Sequence, residues 1–263
     1  MVKNILISLS FCCFLFSSCI WGGETDEDDS DNDSTEVDTL GLEQLDLFED
    51  EEIPDAADML FDDFFYSFVS DANYQVERTK NGVVFDAFDR NPQKSFVVIY
   101  ERDEDLILPK DTAITCVSLE ELEWENMNVH SYMFNRIKNK WYLTEEKECD
   151  VSETPNSQFY QFLSQFVTDS LFQCEAIDFP LPLNVYSYED EEMLETELEL
   201  DEWKALWAEM PNMENGMVNV DYGQTLISRN RKSLQLKSLE SDMIMTFHFD
   251  LTNGEWKLIG VGN

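Results

Sequence analysis

FDDFFYSFVSDANYQVE (Phe61–Glu77) and FYQFLSQFVTDSLFQCE (Phe159–Glu175) are one segment written twice, 98 positions apart. Seven of the 17 positions are identical: Phe61/Phe159, Phe64/Phe162, Phe68/Phe166, Val69/Val167, Asp71/Asp169, Gln75/Gln173 and Glu77/Glu175. A second block repeats at an offset of 115. There Phe134-Asn135 and Trp141-Tyr142-Leu143 match Phe249-Asp250 and Trp256-Lys257-Leu258. Self-similarity at a nearly fixed spacing marks a duplicated structural unit. The offset grows by 115 − 98 = 17 residues, so the second copy carries an insertion. The run Glu189–Glu202, with nine acidic residues and no basic one, is its expected place.

Each copy reads as a helix followed by strands. Ala57, Leu60, Phe61, Phe64, Phe65, Phe68 and Ala72 recur at helical spacing, with Asp55 as the expected N-cap. Phe159, Phe162, Leu163, Phe166 and Val167 repeat the stripe, capped by Asn156 or Ser157. Strands are expected at Gly82–Phe88, Ser95–Tyr100, Tyr132–Ile137 and Trp141–Glu145, and again at Leu226–Arg229, Leu234–Leu239, Ile244–Leu251 and Trp256–Val261. Met245, Phe247, Phe249 and Leu251 alternate with Ile244, Thr246, His248 and Asp250, the pattern of a half-buried strand. Asn253-Gly254 is a two-residue hairpin turn, because both residues tolerate positive φ, and Lys138-Asn139 holds the same place in the first copy. The fold class is α+β with antiparallel sheet.

A helix, then strands ending in Trp141-Tyr142-Leu143 or Gly254-Glu255-Trp256-Lys257-Leu258, resembles the nuclear transport factor 2-like cone. The resemblance implies a tandem pair of such cones, each a helix packed on a curved antiparallel sheet. The layout also resembles an uncharacterised lipoprotein family of Bacteroides-type bacteria. Asp201-Glu202-Trp203-Lys204 and Asn219-Val220-Asp221-Tyr222-Gly223-Gln224 carry that likeness, which covers residues 55–263. The motifs are structural, so they speak to fold and not to function.

The N-terminus reads as an export signal. Met-Val-Lys-Asn precedes an apolar run from Ile5 to Phe16, which is too short to span a bilayer as a stable helix. Phe16-Ser17-Ser18-Cys19 resembles a bacterial lipobox, which implies cleavage before Cys19 and lipid attachment to it. The resulting organisation is a signal peptide at 1–18, a lipidated acidic tether at 19–54, a first cone-like repeat at 55–152 and a second at 153–263. The expected place is the cell envelope of a diderm bacterium, anchored in the outer membrane. Acidic residues from Glu24 onward resemble the surface-export signals of Bacteroides-type lipoproteins, and Asp33-Ser34-Thr35 and Asp38-Thr39-Leu40 resemble O-glycosylation sites of the same bacteria. Between Ile20 and Asp58 there are 17 acidic residues and no Lys or Arg, a self-repelling tether. Asp29, Asp31 and Asp33 imitate the start of an EF-hand, but Ser34 and Leu40 stand where Gly and Glu are required.

Charge limits the partners. With 56 acidic residues against 17 basic, the formal net charge is −39. Nucleic-acid binding needs a basic footprint and is excluded. Basic proteins or a small ligand are the expected partners, beside the membrane reached through lipid. Hydrophobic residues at 43% and aromatics at 13% mark a globular chain, not a disordered one.

Chemistry is sparse. No nucleophile elbow, phosphate loop or HExxH is present. The isolated Cys116, Cys149 and Cys174 form no metal knuckle, so neither metal nor cofactor is expected. His130 and His248 do not align between the copies. A cone pocket is expected from Tyr222, Gln224, Arg229, His248, Asp169 and Gln173, although Asp169, like Asp71, reads first as a cap on the next turn. Trp203 and Trp207, at i and i+4, pack on the second sheet or flank that pocket. The leading expectation is a non-enzymatic module that binds a ligand or partner. The alternatives are an enzyme around His248 with a carboxylate, and an acidic inhibitor or immunity-type protein that masks a basic partner.

Overall fold

Each phenylalanine stripe must leave water, and the strands supply the surface that covers it. The computed structural model describes residues 60–262, except 90, 92–93, 188–190, 227–229 and 241–242. The signal, Cys19, the tether, Asp55 and Arg229 lie outside the described residues. In the first repeat, helix α1 (Phe61–Ser70) is followed by α2 (Ala72–Glu77), β1 (Ser95–Tyr100), β2 (Cys116–Glu123), β3 (Asn128–Ile137) and β4 (Lys140–Asp150). In the second, α3 (Ser157–Thr168), α4 (Ser170–Glu175), β5 (Leu181–Ser187), β6 (Glu192–Leu198), α5 (Leu200–Ala208), β7 (Gly216–Asp221), β8 (Arg231–Ser238), β9 (Ile244–Thr252) and β10 (Glu255–Gly262) follow.

The duplicated aspartates explain why each opening helix is two helices. Asp71 is extended, at φ −127°, and its carboxylate accepts from the backbone N–H groups of Asn73 and Tyr74 at 2.8 and 3.3 Å. Asp169 does the same for Leu171 and Phe172 at 2.9 and 3.1 Å. An Asp is a strong N-cap because it satisfies amides that the helix cannot. The continuous helix expected through Ala72 therefore breaks at Asp71.

Among the described residues the strands form one ten-stranded sheet, ordered β4-β3-β2-β7-β1-β8-β9-β10-β5-β6. The order crosses the boundary between repeats. β2 pairs with β7 of the second copy, and β8 pairs with β1 of the first. The exchange is reciprocal, since Ser118 faces Asp221 as Ser233, its counterpart at offset 115, faces Tyr100. β1 and β7 meet in parallel at the centre, with Val97 beside Asn219. Parallel central strands, with α1 and α3 helping to form two different cores, fit a pseudo-twofold axis running along the strands. Such an axis turns one repeat onto the opposite face of the sheet.

Burial agrees with that arrangement. Phe96 and Val98 enter the core built on Phe61, Phe64, Phe65, Phe68, Phe134 and Trp141. Val97 and Ile99 enter the other, built on Phe159, Phe166, Phe247, Phe249, Trp203 and Trp256. All six residues of β1 are buried, which is why Ser95-Phe-Val-Val-Ile-Tyr100 is a continuous apolar run without alternation. The last strands carry matching bulges, at Thr144 in β4 and at Ile259 in β10, 115 residues apart. Bulges bend a strand and increase its twist. Lys138-Asn139 and Asn253-Gly254 all have positive φ, as the hairpin reading requires.

Several expected elements differ. Gly82–Phe88 is not a strand but a loop, with Phe85 and Phe88 packed against the first core. β2 was not expected, because the adjacent Glu120 and Glu121 put a carboxylate on each face of its VSLEELE stretch. No strand is present at Leu226, and the rest of that expected segment is outside the described residues. The acidic run yields β6, an edge strand with Glu192, Glu195 and Glu197, and the start of α5. Charges on an edge strand discourage pairing with another chain.

Candidate functional site

The residues expected to share one pocket do not converge. Tyr222 is buried in the first core, and its hydroxyl donates to Asp62 of α1 at 2.6 Å. Gln224 closes a turn: its carbonyl accepts from the Tyr222 N–H at 2.6 Å and its amide donates to the Val220 carbonyl at 3.2 Å. Asp169 is the α4 cap. Gln173 is buried in the second repeat, donating to the Phe166 carbonyl at 3.1 Å and accepting from the Trp203 indole at 3.0 Å. His248 Nδ1 lies 2.9 Å from the Ser233 hydroxyl, on the face opposite Phe247 and Phe249. Burial lowers its pKa, which favours the neutral ring. The physical reason for the scatter is the strand exchange, which carries Tyr222 into the first repeat's core while His248 stays in the second.

Both cores are filled by their own rings. The space among Leu163, Phe166, Trp207, Phe247 and Phe249 is about 10 Å³, room for one water at most. Trp203 is fully buried, stacks on Trp207 at 5.4 Å and packs near Phe247. The aromatic pair is therefore core, not the flank of a pocket. An open cleft of about 490 Å³ lies at the outer end of β2. Glu123, Trp124, Glu125, Asn126, Glu214 and Asn215 contribute to its walls, and Trp124 is held there by an indole bond to the Met213 carbonyl at 2.8 Å.

At the junction of the repeats lies a buried polar network. Asn219 on β7 accepts from the Ile99 N–H at 3.2 Å and donates to Glu120 Oε2 at 2.9 Å. Tyr160 of α3 donates to the same oxygen at 2.5 Å. Burial raises the Glu120 pKa from 4.5, although both hydrogen bonds lower it. With the folded pKa above the unfolded one, the native state holds the extra proton, so this group's contribution falls as pH rises above about 4.5. Glu120→Gln should therefore raise the urea midpoint at pH 7.5, and its advantage should vanish at pH 4. Equal midpoints at pH 7.5 would show that the carboxylate is not strained there.

A second cluster mixes donors. Glu121 on β2 and His130 on β3 are direct cross-strand partners, and the loop brings Asp86 to them. One potential ligand atom from each lies within 4.8 Å of the others. The Tyr132 hydroxyl donates to Asp86, and its ring stacks on His130 at 4.6 Å. Burial, with the nearby Asp86 carboxylate, raises the Tyr132 pKa. Cys116, Cys149 and Cys174 are free thiols.

A family model described as a domain of unknown function (DUF4348) matches residues 42–262. The chain belongs to the DUF4348 family. Among solved structures it is similar to an NTF2-like protein from Bacteroides fragilis NCTC 9343, at 29% identity, 80% coverage of this chain, 97% of that chain and a TM-score of 0.69. The DUF4348 fold is thus NTF2-like, α+β on a large sheet. Partial matches are a cystatin-like protein from Bacteroides caccae ATCC 43185 (21% identity, covering 40% and 74% of the two chains, TM-score 0.28) and an NTF2-like protein from Shewanella baltica OS155 (11%, 42% and 95%, 0.27). No curated protein sequence matches the chain.

Sequence reasoning about this DUF4348 chain missed Asp86, Glu121 and Glu120. Asp86 sits in a segment expected to be a strand, and the two glutamates sit in a strand that was not expected. The available signal was the alternation of Val117, Leu119 and Glu121, which puts a carboxylate on the core-facing side.

Proposed function

We propose that this chain is a lipid-anchored envelope protein, a duplicated cone that binds a cationic partner on its acidic exterior without catalysing a reaction. Residues 1–18 would be removed, Cys19 acylated, and 19–54 would tether the folded body. The observation that carries the reading is the packing of both cores, where Phe and Trp side chains occupy the space that a cone enzyme or carrier keeps for its ligand. The open cleft bounded by Glu123, Glu125 and Glu214, together with the net charge of −39, supports a basic protein segment as the partner. A reading as an acidic inhibitor or immunity-type protein shares that chemistry. Catalysis around His248 draws no support from its bond to Ser233.

The test has two arms. Cys19→Ser should move the chain from the membrane fraction to the soluble one, and a chain that stays membrane-bound would remove the anchor. For the surface, the full chain carrying Glu123→Gln, Glu125→Gln and Glu214→Gln should bind a fluorescent octalysine peptide at least about fivefold more weakly in 50 mM salt, the loss fading as salt screens the field. Unchanged affinity would discard the cleft.

A further inference from the structure

We propose that Asp86, Glu121 and His130 form a binding site for a divalent first-row transition cation of the zinc class. The set offers one imidazole nitrogen and two carboxylates, the mixed donors such ions take. A purely oxygen set would instead suit calcium or magnesium. Their ligand atoms already lie within 4.8 Å of one another. Donors about 2.1 Å from a tetrahedral ion sit about 3.4 Å apart, so a movement of about 1–1.5 Å completes the set. Asp86 is exposed and can make that movement, whereas Glu121 is buried in the sheet.

The surroundings match those of a metal ligand shell. His130 Nε2 faces Glu146 Oε2 at 3.8 Å, so the ion would take Nδ1, which now lies 3.5 Å from the Tyr132 hydroxyl. A carboxylate on the far nitrogen orients a ligating histidine and makes it a better donor. Tyr132 plays the same part for Asp86 through its hydroxyl. Three protein donors leave a fourth position for water.

The internal duplication supplies an independent argument. At offset 115, Glu121, His130 and Tyr132 correspond to Leu236, Met245 and Phe247. Leu236 and Met245 are again direct cross-strand partners, and Leu236 and Phe247 are buried. The same scaffold therefore folds with an apolar set in this place. The polar set is not demanded by the sheet, and a cation placed between two neighbouring carboxylates would be attracted to both.

The experiment is a zinc titration of the full-length chain in detergent, in competition with a chromophoric chelator. The buffer would hold 0.15 M NaCl and excess Mg²⁺ to saturate diffuse acidic sites. Wild type should show one tight equivalent and a rise in melting temperature on loading. His130→Gln and Asp86→Asn should each weaken that equivalent at least about tenfold, while melting like wild type without zinc. Asp86→Asn is the safeguard on folding, because its side chain is exposed. Absence of a tight equivalent in wild type, or one that persists unchanged in both variants, overturns the site.

Discussion

Trp203→Ala is expected to destabilise the fold by about 4–5 kcal/mol, more than any other single truncation in the second repeat. The indole is fully buried beside Phe166, Trp207 and Phe247, and removing a large aromatic from such a position costs about 3–5 kcal/mol in lost transfer and residual cavity. It also leaves the Gln173 carbonyl without its indole donor, and an unsatisfied buried acceptor adds about 1–3 kcal/mol, less any relaxation. Trp203→Phe keeps most of the volume and loses the donor, so it should fall between the two. Urea unfolding of the three chains, followed by circular dichroism, measures this. A Trp203→Ala loss under about 1 kcal/mol would place the indole outside the core.

Asn219→Ala should cost about 2–4 kcal/mol, because one side chain serves three elements. It satisfies the Ile99 N–H where β1 and β7 run parallel, and its amide donates to the half-buried Glu120 carboxylate of β2 and, at 3.2 Å, to the Tyr160 hydroxyl of α3. Alanine strands the Ile99 N–H and leaves Glu120 with Tyr160 alone as its donor at the seam between the repeats. Asn219→Asp separates geometry from charge. It preserves the acceptor for Ile99 but sets a second carboxylate against Glu120, so at pH 7.5 it should be worse than alanine. Once both carboxyls are protonated, the order should reverse. An aspartate variant as stable as wild type at pH 7.5 would show that Glu120 is already protonated there. Because the network joins β1 of one copy to β7 and α3 of the other, both variants should melt in a single transition.

The duplicated segments made the two opening helices, the paired hairpins and the two aromatic cores legible. The reason is local: a phenylalanine stripe at helical spacing and an Asn-Gly between alternating runs have few other ways to satisfy their side chains and φ angles. The paired offset of 115 also foretold that the closing strands would match, and their bulges at Thr144 and Ile259 do. Asp71 and Asp169 were legible as caps for the same local reason. Asp86, by contrast, reaches Glu121 and His130 only because a loop without periodicity folds over β2 and β3.

What the sequence determined by itself was the repeat, the fold class and the acidic composition, each a matter of composition or short-range pattern. Only the tertiary structure decided that the copies exchange β1 and β7 into one sheet, that Tyr222 belongs to the core of the other repeat, and that a histidine meets two carboxylates. Pairing between strands about 120 residues apart depends on which exposed edge each strand finds after the helices have covered their faces. Neighbours along the chain carry no record of that choice.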